Sequence, residues 1–356
     1  MENASTNKEL FDSACEIVVT QKKQTQDFDT NSFILHAPLE ICARYFLLPL
    51  VDEEHFSQAR QQIINTANKY DELENADKQI SIQVDENFSL AGINLDKWVT
   101  SLLFAGHAPI LAAMQNTLGE TNQYMHSILL NMAQTIDSSS SQMKWVDTKA
   151  STLHSPQEWI IENIGNIKNQ SSKAFFIADI VNTTIESGLI DPLTEQINAI
   201  ADISSRGDFE IPFKLLMRIA ALSMLIEDEE HSKYGWSHCL TLPHAIWSLL
   251  NFANDKSRYL KAATIYVASF RSINSKETIN PIELETYCEP DELSVFAEHY
   301  VRMEEIISIG CTYKDAHLVK YIYTCFDLMK RDPQYAKLYI AAAGKLLSIW
   351  ENEDSK

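Results

Sequence analysis

The sequence predicts an all-α protein, one large helical domain with at most a short hairpin. Three observations lead there. The 356 residues include only 9 glycines and 10 prolines, too few for a sandwich or barrel that turns every ~8–12 positions. Apolar residues recur at three- and four-residue steps along much of the chain, as on one face of a helix. Strand-like alternation occurs in a single short passage.

The elements follow in order. Residues 1–30 are expected to be loosely held, as chain ends often are, and the helical domain spans 31–352. Over 53–75, Phe56, Ala59, Ile63, Ala67 and Tyr70 form an amphipathic stripe. Over 79–84, Ile80, Ile82 and Val84 alternate, which allows a hairpin or extended arm. The serine-rich residues 137–142 read as a loop. Stripes resume over 159–167, 175–190, 211–225 and 245–252. Residues 272–281 read as a second loop, followed by stripes over 293–307, 317–329 and 335–350. Asp315 is a candidate N-cap, because its carboxylate can accept from an orphan amide of the next turn. Asp332-Pro333 closes that helix and opens another, with proline at a tolerated first-turn position. No fixed-period repeat indicates a solenoid.

Charge and composition narrow the function. With 29 Lys and Arg against 49 Asp and Glu, the formal charge is −20. Such a surface repels phosphate backbones and anionic bilayers, so neither nucleic acid nor membrane is an expected partner. No stretch of ~18 apolar residues suggests a bilayer span, and no basic-then-apolar leader opens the chain. A cytoplasmic location is the expectation. None of the six cysteines stands in a C-x-x-C pair, which removes zinc knuckles and thioredoxin-type chemistry. No two glycines lie within ten residues of each other. A dinucleotide fingerprint and a P-loop both need clustered glycines, so a Rossmann-type flavin or NAD site and a P-loop NTPase are excluded.

Ten histidines remain as candidates for chemistry. His55, His154 and His231 lie in polar stretches and read as solvated. His126 and His299 fall on helical faces as packing residues. His36, near Pro38 in an apolar segment, fits either role. His107, His238, His244 and His317 sit among apolar neighbours close to small or turn-forming residues. A neutral imidazole in such surroundings needs a partner at each ring nitrogen, and a metal is one. His317 and Lys320 are three residues apart, which puts them on one helical face. His244 follows Pro243, as in a first helical turn, with His238 on the loop before it.

Lys320 stands among Leu318, Val319, Tyr321 and Ile322. Either its stem snorkels along the edge of an apolar face, or it is desolvated. A desolvated lysine loses its proton readily, and its neutral amine can add to carbon dioxide to give a carbamate. Imidazoles with one carbamate suit divalent iron, without excluding zinc, nickel or copper.

Three blocks carry a resemblance. Ala105-Gly-His-Ala-Pro-Ile-Leu111, Trp236-Ser-His-Cys-Leu-Thr-Leu-Pro-His-Ala245 and Asp315-Ala-His-Leu-Val-Lys-Tyr-Ile-Tyr-Thr-Cys325 resemble the questin oxidase-like family. The likeness spans roughly 34–350 and continues through Asp332-Pro333 into Leu338-Tyr-Ile-Ala-Ala-Ala343. It implies flavin-free oxidative opening of aromatic or quinone-type rings in secondary metabolism. It also implies a non-haem Fe(II) site with histidine ligands and a carboxylated lysine. Carried over by motif, the metal ligands are His107, His238, His244, His317 and Lys320, with His317 and Lys320 as catalytic residues. Fungal members carry more than one histidine in the first block, and whether His36 replaces His107 is left open.

The expected activity is therefore oxygen insertion into, or oxidative cleavage of, a ring carbon–carbon bond. The partners are a small aromatic substrate and O2; an external NADPH or other reductant is not specified by the sequence. Phe104, Trp236, Trp247 and Tyr321 are candidates for the substrate wall or, equally, for the core, and Tyr313 for a proton donor. Two alternatives stand beside this reading: a metal-dependent hydrolase with a carbamylated lysine, and a non-catalytic helical binding protein.

Overall fold

In the computed structural model, the described residues are 2–76 (except 19, 21 and 24), 164–168, 180, 184, 209–250 (except 249), 256–290 and 293–354. They form helices and their connections with no strand. An isolated bridge joins Lys22 and Asn75. The all-α expectation holds. The calls on 79–84 and 137–142, and most of those on 159–167 and 175–190, lie outside the described residues.

The helices are α1 (Glu2–Val18), α2 (Phe28–Leu47), α3 (Glu53–Asp71), α4 (Glu210–Ile226), α5 (Ser237–Ser248), α6 (Lys256–Asn274), α7 (Pro281–Glu285), α8 (Leu293–Gly310), α9 (Ala316–Arg331) and α10 (Ala336–Asp354). Acidic caps start several of them by accepting from amides of the first turn. Asp27 takes the Thr30 amide at 2.8 Å and Asp52 the His55 amide at 2.9 Å. Asp315 takes the amides of His317 at 2.7 Å and Leu318 at 3.0 Å, as its position in the sequence suggested.

Helix α9 occupies the centre, packed by α2, α5, α8 and α10, and every residue from Leu318 to Met329 is buried. A guanidinium ties this centre to its surroundings. Buried Arg44 on α2 donates to the carbonyls of Cys311 (2.7 Å) and Tyr313 (2.6 Å), which fixes the turn that launches α9. Arg218 grips Asp332 with two 2.7 Å bonds, holding the α9–α10 junction to α4.

Two sequence expectations change. Residues 2–18 are a packed helix, not a loose segment. Phe11, Ala14, Cys15 and Val18 share one face and are buried against α2 and α3, with Phe11 stacked on Tyr45 at 4.0 Å between centroids. Helix α5 starts at Ser237, so His238 lies in its first turn and Pro243 in its interior. All twelve residues of α5 are buried, so it has no polar face from which its start can be read. No helix among the described residues is long and apolar enough to cross a membrane.

Candidate metal centre

Three helix segments deliver one imidazole each to a common point. His36 comes from the middle of α2, His238 from the first turn of α5 and His317 from the first turn of α9. The His36 and His317 rings lie 4.5 Å apart, His238 and His317 4.9 Å, and His36 and His238 6.2 Å. One ring nitrogen of each falls within 4.8 Å of the others. Nitrogens bound to one metal at ~2.0–2.1 Å are somewhat closer together, so small ring rotations would complete the set.

Burial favours the neutral, ligating form of His238 and His317. His238 Nδ1 donates to the Tyr234 carbonyl one turn earlier, which leaves the Nε2 lone pair for a metal, the usual outer contact of a ligating histidine. The contact is built by a π-helical turn, Ser232–Trp236, just ahead of α5. Such turns often mark functional positions. Burial, then the Lys320 charge, push His238 down to about 4, against the Tyr234 carbonyl and Asp315. Burial likewise holds His317 well below its ordinary range, with Lys320 and His238 adding to the effect. His317 Nδ1 is buried with no hydrogen-bond partner among the described residues, and it lies 3.6 Å from Asp315 Oδ1.

Lys320 completes the cluster. It is 3% exposed, and its Nζ lies 2.7 Å from His36 Nδ1. Burial pushes its ammonium down to about 8, although Asp315 and Glu40 favour the charge. Of the two sequence readings, desolvation fits and snorkelling does not, because the amine is inside.

The three histidines line a cavity of about 1000 Å³, ample for a polycyclic aromatic. Phe33, Tyr234 and Phe270 supply its aromatic surface, and the Tyr234 ring meets His317 edge-on at 4.9 Å. Gln62, Asn65, Thr66 and Lys69, successive positions on one face of α3, supply a polar side.

The remaining candidates fall elsewhere. His244 is apart from the cluster: its Nε2 donates to Asp327 at 2.8 Å, and Arg331 meets the same carboxylate at 2.6 Å. Trp236 is fully buried, Trp247 stacks on Phe213 at 5.9 Å, and Tyr321 is fully buried. None of these three lines the cavity. The physical reason is rotation: α5 is buried all round, and Tyr321, next to Lys320, points ~100° away from it. Tyr313 contributes its carbonyl to Arg44 and does not line the cavity. His107 and Phe104 lie outside the described residues.

Sequence reasoning left His36 undecided and passed over Phe33, Tyr234, Phe270 and the polar face of α3. The available signal was that face itself, which runs beside the apolar stripe of 53–75. A second group, Asp228, Glu230 and His231, is also close enough to share an ion. Asp228 is already committed to capping Glu230 and pairing with Lys276, so the group reads as a solvated rim. Compared with protein-family models, with curated proteins and with solved structures, the chain matches none.

Proposed function

We propose that this protein is a metal-dependent oxygenase acting on a planar aromatic or quinone-type metabolite. Divalent iron would be held by His36, His238, His317 and Lys320. The resemblance to the questin oxidase-like family supplies the reaction class. The observation that carries the reading is the convergence of three imidazoles on one cavity, with the buried Lys320 amine 2.7 Å from one of them.

The donor set fits such an ion. Burial favours the neutral form of His238 and His317, the His238 ring is pre-oriented by the Tyr234 carbonyl, and a cation would replace the unmet contact at this point. The Lys320 amine can add to carbon dioxide, forming an N–C bond and releasing one proton, so that an anionic oxygen donor takes the place of a cation. Bound iron supplies the redox chemistry with O2 that no side chain here can supply. The chain contributes the rest. Tyr234 holds the His238 tautomer, Asp315 fixes the turn that carries His317, and the aromatic walls seat a flat ring beside the imidazoles.

Anaerobic purification with metal analysis tests this. Near-stoichiometric iron is expected, together with oxygen uptake on a panel of polycyclic quinols. With ¹³C-bicarbonate, a carbamate resonance is expected in the wild type and lost in Lys320→Ala. Zinc without oxygen uptake would support the hydrolase instead. Absence of metal, with His317→Ala and Lys320→Ala changing only stability, would sink every metal-based reading.

A further inference from the structure

One helical turn beyond His36, α2 brings a carboxylate to the same cavity. Glu40 is 3% exposed and lines the cavity with the histidines. It accepts hydrogen bonds from Arg44 Nε at 2.8 Å and Thr66 Oγ1 at 3.0 Å, and both end on Oε1. The closest approach of Arg44 Nη2, 2.7 Å, is to Oε1 as well. Oε2 receives neither hydrogen bond.

Arg44 is not free to turn towards Oε2, because its Nη1 and Nη2 are committed to the carbonyls of Cys311 and Tyr313. Nor is Lys69 a ready partner, since its ammonium sits over the Phe33 ring at 4.1 Å. A carboxylate paired with a guanidinium only accepts hydrogen bonds, and it has capacity for about four. A buried one whose second oxygen takes neither of these hydrogen bonds among the described residues, on a cavity with both aromatic and polar lining, is suited to a hydrogen-bond donor on the ligand.

We propose that Glu40 Oε2 is the acceptor that orients a hydroxyl-bearing aromatic ligand, setting its ring beside the three imidazoles. Glu40 is thus a binding and specificity residue that discriminates a hydroxyl from an ether at the same position. The assignment rests on the cavity being the ligand site of the proposed function, but its test does not depend on iron.

The probes are 2-naphthol and 2-methoxynaphthalene, flat bicyclic rings that differ by one O–H. Each is titrated by fluorescence into the full chain, first stripped of metal and then loaded with ferrous ion under nitrogen. The wild type should bind the naphthol about tenfold more tightly, the scale of one hydrogen bond to a charged acceptor. In Glu40→Gln, the Oε1 contacts can persist while an amide donor replaces Oε2, so the preference should vanish or reverse, with a lower melting temperature because the buried Arg44 loses its counter-charge. If that variant does not fold, Glu40→Asp keeps the charge for Arg44 and withdraws the acceptor, and should also lose the preference. Equal affinities in the wild type, no binding of either probe, or an unchanged preference in the folded variant would overturn the assignment. Iron uptake in the same samples reports separately on the proposed function. A chain that takes iron but does not discriminate loses only the Glu40 role, and one that discriminates without taking iron loses only the oxygenase.

Discussion

His238 and His244 are six residues apart on α5, which turns one ring about 240° from the other. One therefore joins His36 and His317, while the other meets Asp327 in the core. Substitution separates the two roles. His36→Ala, His238→Ala and His317→Ala should each weaken iron binding by tenfold or more. His244→Ala should leave the metal content alone and strand a buried carboxylate with Arg331, at a cost of about 2–4 kcal/mol. Metal analysis with urea unfolding reads both quantities, and loss of metal in His244→Ala would contradict the assignment. His317 and Lys320 were legible in the sequence because they share one turn of one helix. His36 was not, since a lone histidine on an apolar helix looks the same whether it packs or ligates. His244 was drawn in by its apolar surroundings after Pro243 and by the resemblance block it shares with His238, neither of which says much about direction on a helix.

Among elements, the helices easiest to read were those with polar residues along one side, wet or buried: α3, α4, α8, α9 and α10 fall on stripes visible in the sequence. Helix α5, wholly buried, offered less contrast. Helix α1 was hidden differently. Its first two turns are polar, and the buried face formed by Phe11, Ala14, Cys15 and Val18 comes late. That face makes α1 a structural part of the bundle, packed on the same α2 that carries His36. Phe11 is 1% exposed, so Phe11→Ala should cost about 3–5 kcal/mol through lost burial and an unfilled cavity. The urea midpoint should fall while the iron content of the folded fraction stays at the wild-type level. A change below about 1 kcal/mol would mean that α1 is not docked in solution.

For the whole molecule, two electrostatic effects oppose each other as the pH falls. The net charge of −20 makes the folded chain repel itself, and protonating surface carboxylates relieves that strain. The buried groups act the other way. Burial lowers the pKa of His244 in spite of its Asp327 hydrogen bond. Below about pH 6.5 the unfolded chain therefore takes up a proton that the folded chain refuses, and stability falls with pH. Asp327 has the same sign at lower pH. Its burial favours the neutral acid, but His244 and Arg331 outweigh that and pull it to about 2. Its stabilisation is complete above about pH 4 and is lost as the pH falls through about 2. Surface repulsion is screened over ~8 Å at physiological salt, whereas buried pairs are screened far less, so the buried groups should win there. In metal-free protein at 0.15 M salt, stability should drop by up to about 1.4 kcal/mol per proton for each pH unit below 6.5. His244→Gln, which can keep a donor near Asp327 but cannot titrate, should flatten the slope between pH 6 and 4.5 by up to one proton. Urea midpoints across that range measure it. An identical slope in the variant would place the acid sensitivity elsewhere, and a slope abolished by salt alone would assign it to the surface.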